Sequence, residues 1–591
     1  CPPPPTPHPP PPPPAPRAPP PPPPGGVGGG GGAPQGLAPR RGKGQCCAGV
    51  DAPGRAGSPA GMLRALFLIL LAAAPARADP MRDAAFEGAQ WIMFTAAAQA
   101  VAGVGARLAA GDDDLGRAIR ARQEAEGAAA ALRAAVLDTA RAGGDTAAAE
   151  AALRGTEAAL AALERDIAAR FPAYAEFAVP RPLAVAEVQR LLRPGEALVL
   201  ILTGTAGTYV WAVTPAAAAW TRADWGEDDL AAAVTRLRAD LDPTAPARAA
   251  VRLNAPPPRG PGFDRALAHR LYADLLAPLA PVLDGAAVVQ VVAQGPLASL
   301  PLALFVAAPP EGDDADPAAL AATDWLIRRH ALVTLPAVSS LGSLRQAGAG
   351  RAGGGRFVGI GAPLLDGPAG GDTVIAARGV PIAAGAMGDP AAIRRLPALP
   401  GTARELRAVA RLFAPEDRTI LTGAQATEGV LRSLDLGEAR ILHFATHGLV
   451  TGELQGLTEP ALVLTPPDVA SPEDDGLLTA SEAARLPLDA DWVVLSACNT
   501  AAGDSLGGES LSGLARAFFF AGARALLVSH WPVRDDAAAA MVADTIGRVQ
   551  GGAGRAEALR AATLALMDRP GFGHPSAWAP FVVVGEGGPL Q

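Results

Sequence analysis

The sequence predicts an α/β protein in which two units of mostly parallel strands follow an α-helical segment. Three observations carry that prediction. From about residue 180 onward, short apolar runs rich in Val, Leu and Ile alternate with helically spaced stretches, the order that builds a parallel sheet covered by helices. Loop-like stretches at Gly348–Gly355 and Pro363–Pro390 divide that alternation in two. Ahead of it, Met81 to about Phe171 is alanine-rich, nearly free of proline and helical in spacing.

Taken in order, the helical segment breaks at Asp112-Asp-Asp114 and Gly143-Gly-Asp145, both turn signals, so a helical hairpin or short bundle is expected. In the first α/β unit, Ala197–Leu202 and Thr208–Val213 read as strands joined by a Gly-containing turn. Helices follow at Asp228–Leu241 and Phe263–Leu279, then a buried strand at Val288–Ala293. The second unit opens with a strand at Phe357–Ile360 and a helix at Thr402–Phe413. A strand at Arg418–Leu421 and a helix at Thr427–Leu434 come next. Then come the strand that runs into His447, a polar hairpin region and the strand that runs into Cys498. The unit closes with a helix at Ser510–Ala521, a strand at Ala525–His530, helices at Ala537–Val549 and Ala556–Met567, and a strand at Phe581–Val584.

The first 61 residues open on a proline run and pass through Gly25–Gly32, with almost no large apolar residues to form a core. Met62 begins a different pattern. Arg64 supplies a positive n-region, Leu66–Leu71 with the following alanines an apolar h-region, and Ala76-Arg-Ala78 a small-x-small cleavage site. That apolar stretch is too short to span a bilayer. The expectation is therefore a start at Met62, residues 1–61 as translated upstream sequence, a signal peptide over 62–78 and a mature chain from Asp79. Such a protein is periplasmic or secreted and meets a membrane only during export.

Cys1, Cys46 and Cys47 fall outside that mature chain, which keeps one thiol, Cys498, and so has no internal disulfide. It holds 43 basic and 57 acidic residues, a net charge of −14, which argues against nucleic acid as a partner. Lys43 is the only lysine in the sequence, so Schiff-base chemistry and a P-loop are both excluded. No Cys/His cluster has metal spacing, and neither metal nor cofactor is expected.

The chemistry concentrates at two strand ends. Ile441-Leu-His-Phe-Ala-Thr-His-Gly448 and Trp492-Val-Val-Leu-Ser-Ala-Cys-Asn-Thr500 both run from apolar residues into small and polar ones. A thiol is mostly protonated at neutral pH, and an adjacent imidazole activates it. Ligands bind outside the carboxyl ends of parallel strands, so His447 and Cys498 would share a cleft if their strands are parallel neighbours. The backbone N–H groups of Gly448 and Cys498 would then form an oxyanion hole. Each residue alone also reads as core packing. The pair carries the functional reading.

These segments resemble a CHAT domain, the caspase-like peptidase family related to separase. The matching text includes Gly295–Phe305, Leu399-Pro-Gly-Thr-Ala-Arg-Glu-Leu406, His443–Gly448, Asp475-Gly-Leu-Leu-Thr479, Leu495–Thr500, Gly508-Glu-Ser-Leu511, Ser529-His-Trp-Pro-Val533 and His574–Phe581. His447 precedes Cys498 by 51 residues, which matches the caspase interval. The resemblance implies a caspase-like fold with a pseudo-caspase half at 172–345 and a catalytic half at 346–591, preceded by a helical arm or bundle at 79–171. It implies His447 as base and Cys498 as nucleophile in peptide hydrolysis. One departure is Ala501-Ala502 before Gly503, where the family pattern has glycine sooner after Cys-Asn-Thr.

Asp475, Asp504 and Glu509 are candidates for a specificity pocket that would favour a basic P1 side chain, and each also reads as a turn or cap carboxylate. His443 shares a strand face with His447 and is either a further pocket residue or a hydrogen-bonded core histidine. The expected function is an exported cysteine endopeptidase acting on a protein substrate, with segment 81–171 binding an activator or partner. The alternative is a non-catalytic caspase-like scaffold in a protein complex.

Overall fold

The computed structural model describes residues 79–93, 144–170, 181–241, 262–347, 355–367, 389–449, 459–471, 474–497 and 512–590, with scattered helical positions between 118 and 139. The expected leader, residues 1–61 and 62–78, lies outside the described residues, as do Cys498, Asp504 and Glu509.

Strands occur at β1 Glu196–Gly204, β2 Gly207–Val213, β3 Ala218–Ala223, β4 Val288–Ala293, β5 Ala331–Thr334, β6 Arg356–Gly361 and β7 Arg418–Thr422. They continue with β8 Ala439–Ala445, β9 Gly448–Leu449, β10 Ala461–Val463, β11 Leu477–Thr479, β12 Trp492–Ser496, β13 Ala525–Ser529 and β14 Phe581–Gly585. Eleven of them form one sheet in the order β3-β2-β1-β4-β5-β14-β13-β12-β8-β6-β7, and β11-β10-β9 form a small second sheet. The central strands are aliphatic on both faces because helices cover both. Every residue of β8 is buried, as a parallel strand between two helical layers requires.

The large sheet is mostly parallel, but its parallel strands form two groups. β1, β4, β5 and β14 run one way. β13, β12, β8, β6 and β7 run parallel to one another. The β13–β14 pair is antiparallel and therefore reverses direction between the groups. The carboxyl ends of β6, β8 and β12 thus share one edge of the sheet, and those of β1, β4 and β5 lie at the opposite edge. Only the second group can deliver its strand ends to a site containing His447.

The helix Pro80–Ile92 starts from an Asp79 cap, whose carboxylate accepts from the backbone N–H groups of Met81 and Arg82. It docks against β2 and β3 at one edge of the large sheet. Phe86 is fully buried edge-on to Trp211. Gln90 makes reciprocal bonds with the Leu183 backbone, both at 2.9 Å, and Arg82 donates to the Ala218 carbonyl at 2.7 Å. This first helix therefore belongs to the α/β core. The long helix Ala147–Arg170 is largely exposed, and Glu157 on it bonds Arg133 at 2.8 Å, which sets the two helical stretches side by side.

At the edge away from His447, Asp491 at the start of β12 is a buried ionic hub. Its two carboxylate oxygens bond Arg440 and Arg524, and its backbone carbonyl accepts from Arg555 at 3.1 Å. Burial holds the Arg524 and Arg555 guanidiniums below their usual range, that of Arg555 at about 10, with Asp491 opposing the shift in both.

Candidate functional site

β8 and β12 are adjacent and parallel, with Ala445 opposite Ser496. That register offset equals the 51-residue interval between His447 and Cys498. Two residues beyond each strand end, the chain reaches His447 on one side and Cys498 on the other. A shared cleft for the two residues requires parallel neighbouring strands, and β8 and β12 are such a pair. Cys498 itself is outside the described residues. The residue before it, Ala497, accepts a hydrogen bond at 2.7 Å from the Ser529 hydroxyl at the end of β13.

His447 is half-buried in the short gap between β8 and β9. Its Nε2 lies 2.8 Å from the Pro397 carbonyl oxygen. A carbonyl only accepts, so Nε2 carries the proton and Nδ1 of the neutral ring keeps its lone pair. Burial pulls the imidazole below its usual pKa, while the Pro397 bond opposes that shift. The ring is therefore a neutral imidazole of fixed orientation at neutral pH. Pro397 was not among the expected site residues, because a backbone carbonyl leaves no side-chain signal in a sequence.

Gly448 pairs with Leu462 across β9 and β10. His447 O accepts from Val463 N at 3.0 Å, which makes Gly448–Leu462 a non-hydrogen-bonded pair, and the Gly448 N–H points away from β10. Such an N–H is suited to an oxyanion. On the other side of β8, the chain leaves β6 through Ala362, whose φ of 46° is unusual for a residue with a Cβ. The Ala362 N–H donates to Ala445 O at 3.3 Å. Strained backbone of this kind clusters where chains are held for function.

The remaining candidates fall as follows. His443 has no exposed surface. Its Nε2 is 2.8 Å from Glu405 Oε1, and its ring stands edge-on to Phe357, the arrangement of a hydrogen-bonded core histidine. Asp475 is half-buried and uses Oδ1 to accept from the Leu477 N–H at 2.9 Å, a turn role. Beneath that turn lies Glu428, which the sequence reading did not single out. It is 1% exposed, and its Oε1 accepts from the backbone N–H groups of Asp475 and Gly476 while Oε2 meets Arg432 at 2.8 Å. Burial and then nearby Glu482 push its carboxyl up to about 8.

Solved structures similar to this chain include the Saccharomyces cerevisiae separase–securin complex, at 9% identity and a TM-score of 0.36, covering 68% of this chain and 30% of that one. Another is the Arg-specific cysteine proteinase gingipain R (RGPB), at 10% identity and a TM-score of 0.29, covering 55% of this chain and 67% of that one. Tetratricopeptide repeat protein 28 of Mus musculus is 30% identical over 200 residues, and that of Homo sapiens 28%. The chain covers 8% of the length of each of these relatives, and the match takes in 28% of the chain. Residues 265–586 match the CHAT domain model, more than half of the sequence and both strand ends described above, so the chain belongs to the CHAT domain family.

Proposed function

We propose that this chain is an exported caspase-like cysteine endopeptidase. Cys498 is the nucleophile. Its Sγ forms a bond to the scissile carbonyl carbon, and its proton passes to Nδ1 of His447. The tetrahedral oxyanion is held by the N–H groups of Gly448 and Cys498. Collapse breaks the C–N bond, and His447 returns the proton to the leaving amine. Water then attacks the thioester, again with His447 as base, and the acid product leaves with the thiol restored.

The observation that carries this reading is the β8–β12 register, which supports equal reach of His447 and Cys498 beyond the same sheet edge. The Pro397 bond supports the base role, since it leaves Nδ1 as the acceptor. For substrate selection, Asp504 and Glu509 remain the carboxylates proposed for a basic P1 side chain. Asp475 is the third carboxylate proposed with them, although its Oδ1 accepts from Leu477 N–H in its own turn. The helical segment 81–171 is proposed to bind an activator or partner.

The test is the alkylation rate of Cys498 against pH in residues 79–591, wild type and His447→Ala, with adducts read by intact mass. An ordinary thiol has a pKa of about 8.5, so activation predicts fast labelling that persists below about pH 7 and collapses in the variant. Labelling that ignores His447 would end the dyad reading and leave the scaffold alternative.

A further inference from the structure

The helix Pro400–Ala410 packs its Thr402, Leu406, Val409 and Ala410 face inward, and Glu405 lies on that same buried face. A carboxyl group 2% exposed is costly unless it is hydrogen-bonded, the more so with the Asp535 carboxyl close enough to interact with it. Its partner is His443 in the middle of β8, itself 0% exposed, at 2.8 Å. Replacing such a buried pair by apolar residues of similar volume is often neutral or stabilising. The pair therefore calls for an account other than stability.

Geometry supplies one. The base His447 hangs from the end of β8, four residues after His443. The carbonyl that orients it belongs to Pro397, three residues before the helix that carries Glu405. Between Pro397 and the helix the chain is short and tied down. The Thr402 hydroxyl donates to Leu399 O at 2.8 Å, and Pro397 itself forms a bridge to Gly367. Leu396 is buried in a small apolar cluster with Leu365, Ile393 and Leu449, the last only two residues beyond His447. The Glu405–His443 bond thus joins the two elements whose relative placement sets the distance from His447 Nε2 to the Pro397 oxygen. Apolar packing alone tolerates sliding of a helix along a strand by fractions of an ångström. A directional bond between two buried groups narrows that freedom, because it weakens once its distance and angle leave their preferred range.

We propose that Glu405 and His443 are positioning residues for His447, locking the helix Pro400–Ala410 against β8 so that the Pro397 carbonyl holds the imidazole with its proton on Nε2. The proposal rests on His447 being the base of the site, but its readout does not need a substrate.

The test uses residues 79–591 with 15N-labelled histidine. Glu405→Leu removes the bond, and Glu405→Gln keeps an acceptor at the same place. The double variant Glu405→Leu/His443→Phe removes both polar groups and leaves none of the two unpaired, which keeps a folded protein available if Glu405→Leu does not fold. Nitrogen chemical shifts report the His447 tautomer directly. In wild type and Glu405→Gln, the Nε2–H tautomer should dominate. In Glu405→Leu or the double variant, the two tautomers should mix while the melting curve stays cooperative. Cys498 alkylation at pH 7 should fall by about 10-fold or more in the same variants, the scale on which ångström misplacement of a reacting group acts. A folded double variant with an unchanged His447 tautomer would overturn the proposal, and so would a mixed tautomer in Glu405→Gln. Alkylation indifferent to His447→Ala would instead refute the dyad, leaving the tautomer result to judge the positioning pair separately.

Discussion

His530 offers a prediction whose size follows from the structure. It sits just past β13 and is 5% exposed. Its N–H donates to Pro580 O at 3.0 Å, and its carbonyl accepts from Arg238 at 2.9 Å. Burial first, and the Arg238 charge second, pull its imidazole from 6.5 down to about 3. The unfolded chain takes up this proton as pH falls through 6.5, whereas the folded protein refuses it until about 3. Stability is therefore intact above 6.5 and drains away across the window down to 3. Between pH 7 and pH 4 this one group should remove about 3 kcal/mol, from 1.36 kcal/mol per unit of differential protonation. Burial also holds His330, His447 and His574 below their usual range, so wild type loses further stability in acid. Those contributions cancel when wild type is compared with His530→Gln, which cannot titrate. Urea unfolding at pH 7 and pH 4 on both proteins isolates the difference. The variant should be less stable at pH 7 yet lose about 3 kcal/mol less on acidification. Equal losses in the two proteins would refute the assignment of a neutral, buried His530.

Two further outcomes test the frame around the site. Asp491→Ala removes the carboxylate that bonds buried Arg440 and Arg524, leaving Arg524 its bond to the half-buried Asp489, and should cost about 3–5 kcal/mol in urea unfolding at neutral pH; a loss below 1 kcal/mol would mean that the network is dispensable. Gly361→Ala puts a Cβ 2.0 Å from the Ala445 oxygen, so β6 and β8 must part at the end that leads to His447. It should cost about 1–3 kcal/mol or more and slow Cys498 alkylation, and a stable protein with normal labelling would show that this close approach does not shape the site.

Much of the architecture was legible because its cause is local. Val288–Ala293, Phe581–Val584 and the strands running into His447 and Cys498 are short runs dominated by apolar residues, and each is a strand in the fold, as is Arg418–Leu421. β3 and β5 escaped notice. Ala218–Ala223 is alanine-rich and only half-buried, so it carries no apolar run, and it is a strand because β2 offers it a ladder. Ala331–Thr334 is four residues long and is fixed by β4 and β14 on its two sides. The polar hairpin region became the small sheet of β9, β10 and β11, whose strands are two or three residues each.

The candidate site divides along the same line. His447, Cys498 and Gly448 announce themselves by residue type at the ends of apolar runs. Pro397, Ser529, Glu405 and Glu428 do not. The first acts through its carbonyl, and the other three look like ordinary polar residues until the fold shows what they touch.

By itself the sequence determined most of the strands and helices, the single cysteine beyond residue 47 and the 51-residue interval between that cysteine and the histidine. Only the tertiary structure decided that this interval equals the register offset of two adjacent parallel strands, and that the strand groups run in opposite directions. It also decided that a proline carbonyl faces the imidazole. Strand identity is written in periodicity over a few neighbouring residues. Register, direction and backbone contacts arise from how distant segments pack, and no local pattern encodes them.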